Sequence, residues 1–179
     1  KQNLYEHSMG TPMVITGPGI PRGRSSNALV YLYDLFPTIC SWADVKVPGK
    51  VEGQSLAGVI NGDRPLVRKT LFTAYENKMR AVRDDRYKLI RYPLINHTQL
   101  FDLRGDPDEL KNLAGEPGQA GRVEQMMSLL QTWQRQTGDK TPHTSKNPKS
   151  MVIDLTGRKR KPDRHQPEWI IRKYFGDGK

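Results

Sequence analysis

Cysteine is almost absent from this sequence, in which Cys40 is the single one among 179 residues. One thiol excludes an internal disulfide framework and a four-cysteine zinc site. Long apolar runs are also missing: no stretch approaches the ~20 residues that a membrane span needs, so we expect no membrane-spanning segment. The first residues, KQNLYEHS, have neither an initiating Met nor the basic and apolar regions of a signal peptide. We expect the numbered chain to begin inside a longer polypeptide.

The motifs of a self-sufficient active site are absent as well. There is no Gly-rich phosphate loop and no GxSxG element, and Cys40 has no plausible positioned partner, so we interpret it as a buried thiol. The adjacent Asp84 and Asp85 resemble a metal-binding pair, but a turn between two strands explains them more simply. The histidines are too far apart for metal-ligand spacing, at His7, His97, His143 and His165. We therefore expect this chain to bind no metal and no cofactor by itself.

Positive charge is in excess and unevenly distributed. The net charge is +10, from 29 basic and 19 acidic residues. Residues 140–179 hold 11 basic and 4 acidic residues, with a basic run at 158–161, whereas residues 1–139 hold 18 and 15. Such a run is typical of a solvated surface or a flexible arm, although it can also contact phosphates. Because no zinc-finger spacing or RNA-binding aromatic signature accompanies it, nucleic acid is not the expected partner. A non-enzymatic basic module that binds anionic polymers stays open as an alternative.

The middle of the chain predicts an α+β layer. Four β-prone segments with short connections indicate an antiparallel sheet of about four strands, at residues 70–75, 79–83, 87–92 and 99–103. Residues 122–137 then predict a helix, because apolar side chains recur every three or four positions, at Val123, Met126, Met127, Leu130 and Trp133. This helix would cover one side of the sheet.

Residues before the sheet have shorter patterns. Residues 13–16 are β-prone and precede Gly17-Pro18-Gly19, which predicts a strand that ends in a tight turn. Asp34 as an N-cap would leave Pro37 in the first turn of a short helix running to about residue 43.

Residues after Gly138 are polar and contain several prolines. We interpret residues 139–179 as a basic extended arm. Apolar residues occur there at 151–155 and 169–171, and we expect the arm to dock through these two islands.

Three stretches in order carry a family signature. They are KQNLYEHSMGTPMVITGPGI, then ALVYLYDLFPTICSWADVKVP with GKVEGQSL, and last MRAVRDDRYKLIRY with QLFDLRGDPDELKNLAG. Together they resemble the C-terminal half of a formylglycine-dependent sulfatase of the alkaline-phosphatase-like superfamily, over about residues 1–137. The resemblance implies three parts: residues 1–62 end the α/β catalytic domain, residues 63–138 form a C-terminal subdomain with a four-stranded antiparallel sheet and a packed helix, and residues 139–179 are the arm.

The same resemblance implies the chemistry of the parent enzyme. Sulfatases of this type oxidise the Cys of a CxPxR signature to formylglycine and bind a divalent metal, calcium or magnesium. Cys40 is followed by Ser-Trp-Ala-Asp, which lacks the Pro and the Arg, so it is not the formylglycine precursor. Lys1 matches the sulfate-binding lysine of the family. The implied parent is a sulfuric ester hydrolase that is secreted, periplasmic or lysosomal, and its substrate is a sulfate ester.

The resemblance implies that most of the residues that perform this chemistry lie outside the chain. The fragment would lack the nucleophile and the metal ligands, so we expect it to be inactive alone and to need the missing N-terminal half of the same polypeptide as its partner. Loops 75–78 and 93–98 are candidates for contact with the leaving group. A related phosphonate or phosphate monoester hydrolase stays open as the parent, because C-terminal segments are less diagnostic than the missing nucleophile.

Overall fold

The structure is a computed structural model that describes residues 2–157 and 161–176. The chain divides into two compact units, residues 1–149 and 150–179. Five α-helices lie in the described residues: α1 Glu6–Met9, α2 Leu35–Trp42, α3 Ala57–Asn61, α4 Ala120–Thr137 and α5 Glu168–Phe175. Four strands lie between α3 and α4: β1 Leu71–Tyr75, β2 Met79–Arg83, β3 Tyr87–Tyr92 and β4 His97–Asp102. Three short 3₁₀ segments add to these, at Leu32–Asp34, Pro93–Ile95 and Pro117–Gln119.

The four strands form one antiparallel sheet in the order β1-β2-β3-β4. The turn between β2 and β3 is closed by Asp84, whose Oδ1 accepts the backbone N–H groups of Arg86 at 2.8 Å and Tyr87 at 2.6 Å. This is the usual role of an Asp side chain in a turn. The α+β prediction is confirmed, and the acidic pair belongs to a hairpin.

Helix α4 covers one face of the sheet, which we call the helix face. Alternate residues of β2 and β3 point toward it, and the buried cluster there is wholly apolar apart from one phenol: Val82, Tyr87, Leu89, Leu100, Met126 and Leu130. At the rim, the Arg80 guanidinium contacts the Asp139 carboxylate, with Nε and Oδ2 2.5 Å apart. The helix ends at Gly138, which has a left-handed φ of 69°.

The opposite face, which we call the segment face, is covered by the N-terminal segment of residues 2–9. Its apolar cluster consists of Leu4, Met79, Ala81, Ile90 and Phe101. Leu4 is 3% exposed, so a chain segment without regular structure is anchored in the core at this point.

The predicted strand at 13–16 is wrong, whereas the turn after it is present. Residues 13–16 have no regular structure, and Val14 is 92% exposed. Extended backbone needs hydrogen-bond partners in a neighbouring strand, and none of the described residues supplies them here. The Ile20 N–H donates to the Gly17 carbonyl at 3.2 Å, which closes the turn.

The helix after Asp34 is present as α2, but Asp34 does not cap it through its side chain. The carboxylate is fully buried and pairs with Arg68 instead. A buried carboxylate is better satisfied by a guanidinium than by N–H groups alone. Asp34 thus occupies the predicted N-cap position, but its side chain does not make the capping hydrogen bond.

The second unit contains α5, a helix that was not predicted within the arm. Trp169 and Tyr174 on this helix are exposed, and so are Met151, Val152 and Ile153 before it.

Within the basic run, Arg158, Lys159 and Arg160 lie outside the described residues. The predicted boundaries at 62/63 and 138/139 stay predictions.

Candidate functional site

The N-terminal segment reaches the sheet through three consecutive residues. The Leu4 side chain is buried in the cluster of the segment face. The Tyr5 hydroxyl donates to Oε1 of Gln99 on β4 at 2.9 Å. Glu6 begins α1 and turns its carboxylate toward β2 and β3. The segment is therefore fixed by apolar, polar and ionic contacts within a few residues of Lys1.

Four charged side chains form an ion cluster beneath this segment: Glu6, Arg83, Lys88 and Glu109. The Lys88 ammonium lies 3.0 Å from a Glu6 oxygen and 2.9 Å from a Glu109 oxygen. Arg83 pairs with the other Glu6 oxygen, and the second Glu109 oxygen accepts the backbone N–H of Glu6. The cluster therefore joins strands β2 and β3, the segment and the loop after β4.

Burial makes the pairing in the cluster obligatory. The side chains of Lys88 and Glu109 are 3% and 0% exposed, respectively. A buried charge without a partner is strongly unfavourable, because water no longer solvates it. Two cations face two anions here, so the cluster is neutral as a whole and each member compensates another.

Glu109 is held in position by an uncommon backbone conformation. Its φ is 57°, in the left-handed region that non-glycine residues rarely occupy. The preceding turn supports it, since the Glu109 N–H donates to the Asp106 carbonyl at 3.2 Å and the Asp106 carboxylate accepts the Leu110 N–H at 3.0 Å. The loop thus directs the Glu109 carboxylate at the start of α1.

A large open cavity adjoins the ion cluster on the segment face. Its volume is about 1030 Å³. Charged groups of both signs line it together with apolar side chains from residues 26–33; the charged ones are Glu6, Arg83, Asp85, Lys88 and Arg104. A cavity of this composition can accept another part of a protein or an anionic group.

The wall formed by residues 26–33 is anchored by the buried pair of Asp34 and Arg68. Asp34 accepts N–H groups from Tyr31 at 2.7 Å and Gln54 at 2.9 Å, and Arg68 Nη2 lies 2.7 Å from it. Burial favours a higher pKa for Asp34, but the hydrogen bonds from Arg68 and from the two backbone groups outweigh it and lower the pKa. The Tyr31 hydroxyl in turn donates to the Phe72 carbonyl on β1 at 2.9 Å. The wall is thereby attached to the sheet.

The residues that the sequence singled out can be located except for Lys1, the one predicted site residue. Lys1 lies outside the described residues. Cys40 is a buried free thiol in α2, as predicted. Asp85 pairs with Arg104 at 2.5 Å on the surface. Among residues 2–157 and 161–176, no three His, Cys, Asp or Glu side chains lie close enough to hold a metal ion.

The histidines have separate environments. His7 is exposed and stacks on Tyr5 with 5.8 Å between ring centroids, whereas His97 lies against Tyr92. Burial and the nearby Arg91 charge lower the pKa of His143. His143 is therefore neutral at pH 7.

Sequence reasoning missed the ion cluster. Glu6 and Lys88 are 82 positions apart, so no local spacing relates them. Lys88 does interrupt a strand whose other residues are largely buried. A lysine inside such a strand is the signal that could have indicated a buried partner.

The fold of this chain is similar to part of the fold of solved sulfatases. One of them, a 2-O GAG sulfatase, is 30% identical with a TM-score of 0.61, and the match covers 69% of this chain and 29% of that one. A phosphonate monoester hydrolase from Silicibacter pomeroyi shares the fold, with a TM-score of 0.60 at 24% identity over 70% of this chain and 29% of that chain. The class is thus the C-terminal region of a sulfatase with the alkaline-phosphatase-like fold.

Within this class of sulfatase C-terminal regions, the chain can be assigned to one family. The family model for N-sulphoglucosamine sulphohydrolase, C-terminal, matches residues 1–136, and the chain belongs to this family. An N-acetylglucosamine-6-O-sulfatase of Bacteroides thetaiotaomicron is 30% identical over 155 residues. That match covers 79% of this chain and 28% of the relative, so the chain spans less than a third of the relative's length.

None of the helices in the described part of the chain is long and apolar enough to cross a membrane.

Proposed function

We propose that the parent of this chain hydrolyses sulfate esters and that Lys1 binds the sulfate group. The observation that carries the proposal is the attachment to the sheet of residues 4–6, which begin three positions after Lys1 in the sequence. A catalytic cation must be held in a fixed place, because preorganised charge needs no rearrangement during the reaction. The anchored segment provides such a support.

Hydrolysis of a sulfate ester requires a cation beside the sulfate group. Hydrolysis of a sulfate ester develops negative charge on the sulfuryl oxygens and on the leaving oxygen. An ammonium group is a compact point charge that can donate hydrogen bonds to these oxygens. Lys1 stabilises the transition state in this way more than the bound substrate, and it therefore raises kcat.

The nucleophile and the metal belong to the remainder of the parent. Formylglycine would supply the attacking oxygen and calcium or magnesium would hold the sulfate. The described residues do not fit either group, since Cys40 is buried outside a CxPxR sequence and no donor cluster is present among them. The isolated chain is therefore inactive in our proposal.

The missing N-terminal half is the partner that we propose for the exposed apolar side of α2. Phe36, Ile39 and Trp42 are each about half exposed there. Exposed apolar groups in a cluster mark an interaction surface. Residues 75–78 and 93–98, which connect β1 to β2 and β3 to β4 and include the adjoining strand ends, would border the leaving group. The parent would be secreted, periplasmic or lysosomal.

The substrate is proposed only as a sulfate ester. The sulfatases named above are a 6-O-sulfatase and a 2-O sulfatase. Both names therefore refer to a sulfate ester bond, but at different positions.

Replacing Lys1 in the full-length parent tests the proposal. With an aryl or sugar sulfate as substrate, we expect Lys1→Ala to lower kcat by about 10²- to 10³-fold, in the range for loss of one charge-stabilising donor. Lys46→Ala, at an exposed position, is the matched control and should retain full activity. Equal activities of the two variants would contradict the role of Lys1.

The sequence upstream of Lys1 in the parent tests the reaction itself. CxPxR there supports a sulfatase. Ser or Thr in place of its Cys, with hydrolysis of phosphate monoesters exceeding that of sulfate esters, would contradict the proposal and favour a phosphatase.

A further inference from the structure

Five charged side chains are buried in the part of the chain that the structure describes: Asp34, Arg80, Lys88, Arg91 and Glu109. All of them except Arg91 form an ion pair. Arg91 is 8% exposed, and no carboxylate among residues 2–157 and 161–176 lies within ion-pair distance of it. Because a buried charge without a counter-ion is strongly unfavourable, an anion is missing at this position.

The strand opposite Arg91 does not supply this anion. Arg91 on β3 pairs in register with Arg80 on β2, so two buried guanidinium groups lie side by side at the rim of the helix face. Asp139 accepts hydrogen bonds from Nε and Nη2 of Arg80, at 2.5 and 3.1 Å. The two arginines together thus have a single carboxylate partner in the described chain, and one positive charge is left over.

The hydrogen bonds of the Arg91 guanidinium go to neutral groups. Its Nε donates to the His143 carbonyl at 2.7 Å and its Nη1 to the Thr98 hydroxyl at 2.8 Å, whereas its Nη2 has no acceptor in the described residues. Burial lowers the pKa of Arg91. At Arg68, burial acts in the same direction, but the hydrogen bond and the charge of Asp34 outweigh it and raise the pKa.

The His143 side chain provides a second, independent observation. Its Nδ1 atom is buried and has no hydrogen-bond partner within the described chain. The imidazole is neutral at pH 7 and therefore carries one N–H, which is a free donor when the proton is on Nδ1. A water molecule would satisfy this donor, but it would leave the charge of Arg91 uncompensated.

We propose that Arg91 and His143 bind a sulfate or carboxylate group. The guanidinium supplies the charge and the free Nη2 donors, and the imidazole supplies a further N–H. A cation would be repelled here, and a neutral hydroxyl group would not offset the charge. Pro142 and Thr144, on either side of His143, are exposed, so the site lies close to the surface. The inference depends neither on Lys1 nor on the reaction of the parent.

Titration of the 179-residue chain with sodium sulfate or sodium acetate, at constant ionic strength, tests the proposal. NMR of the imidazole nitrogens and of the arginine Nε–H groups follows binding. We expect the His143 Nδ1 and Arg91 Nε–H signals to shift along one saturable curve. Arg91→Gln should weaken this binding at least about tenfold, because charge-assisted hydrogen bonds are lost. Arg104→Gln is the matched control and should leave the curve unchanged, since Arg104 is exposed and pairs with Asp85.

Two results would overturn the proposal. One is a wild-type chain in which neither anion gives a saturable shift, and the other is an unchanged curve in Arg91→Gln. If Arg91→Gln does not fold, Arg91→Lys replaces it. This variant keeps the charge but lacks the Nη2 donors, so it should still weaken binding.

The same titration of the full-length parent identifies the source of the anion. A saturable shift there means that the site is open to anions in solution. A His143 signal that already has the anion-bound position, and does not respond to sulfate, means that a carboxylate of the parent fills the site. A signal at the anion-free position that does not respond would contradict the proposal. None of these outcomes involves Lys1, so a failure of the proposed function would leave this inference standing.

Discussion

The two faces of the sheet are closed in different ways. On the helix face, α4 supplies Met126 and Leu130 to a cluster with buried strand residues. On the segment face, an N-terminal stretch with one short helical turn supplies Leu4, and much of the remaining contact is ionic. The helix face is a core that a domain of this size needs for stability, whereas the segment face holds a particular piece of chain in a particular place.

Nonpolar burial and ion pairing differ in directionality. The hydrophobic effect scales with buried area and tolerates shifts in packing, but a buried ion pair is favourable only in a defined geometry. The segment face therefore contributes less to stability than the helix face, but it fixes the orientation of the N-terminal segment.

The strongest test of this contrast is replacement of Lys88. We expect Lys88→Met to lower the free energy of unfolding by about 3 to 5 kcal/mol, because it leaves the buried Glu109 carboxylate uncompensated. Adding Glu109→Met should restore more than half of the loss, since paired charges can be replaced by apolar groups of similar volume. Urea unfolding of the single and double variants measures both. No recovery in the double variant would mean that the ion pair is not the source of the effect.

On the helix face, we expect Leu130→Ala to cost about 2 to 5 kcal/mol through lost burial and a cavity. Leu130 is fully buried, whereas Leu110 is 84% exposed, so Leu110→Ala is a matched control that should cost less than about 0.5 kcal/mol. The Leu130 effect should be the same at low and high salt in urea unfolding. A strong salt dependence would show that the two faces do not differ as described.

The rim of the helix face gives a smaller, pH-dependent effect. The hydrogen bond from Arg80 lowers the pKa of Asp139 well below its usual range, against the opposing effect of burial. Since the folded pKa lies below the unfolded value of about 3.9, the stabilisation is fully present above that pH and is lost as the pH falls toward the folded pKa. We expect Asp139→Asn to cost about 1 to 3 kcal/mol at pH 7.

The measurement is thermal or urea unfolding of both proteins between pH 7 and pH 2. The difference between wild type and Asp139→Asn should be constant down to about pH 4 and shrink below it. A difference that grows with acidification would contradict the direction of the pKa shift.

The sheet and α4 could be predicted because their signals are local. Asp84 marks the turn between β2 and β3, and the observed strands coincide with the predicted ones at residues 79–83 and 87–92. The apolar spacing of α4 likewise repeats within one helix. Strand β1 begins one residue later than predicted, at Leu71, and β4 runs from His97 to Asp102 rather than from residue 99 to residue 103.

The candidate site could not be predicted, because its contacts join distant parts of the chain. Glu6 and Glu109 are 103 positions apart, and the four strands lie between them in the sequence. Asp34 illustrates the same difficulty: an N-cap is a local role, but Arg68, 34 positions away, takes the carboxylate instead. The proposal for Lys1 rests on family resemblance, because no local pattern marks this residue as functional.

The unpaired stretch at residues 13–16 has a consequence for handling the isolated chain. Its β-prone side chains include the almost fully exposed Val14, and no described strand covers its backbone. Exposed β-prone segments can pair with copies of themselves and promote aggregation. Production of residues 1–179 without the rest of the parent should therefore favour self-association through this stretch, and a charge in place of Val14 should improve solubility.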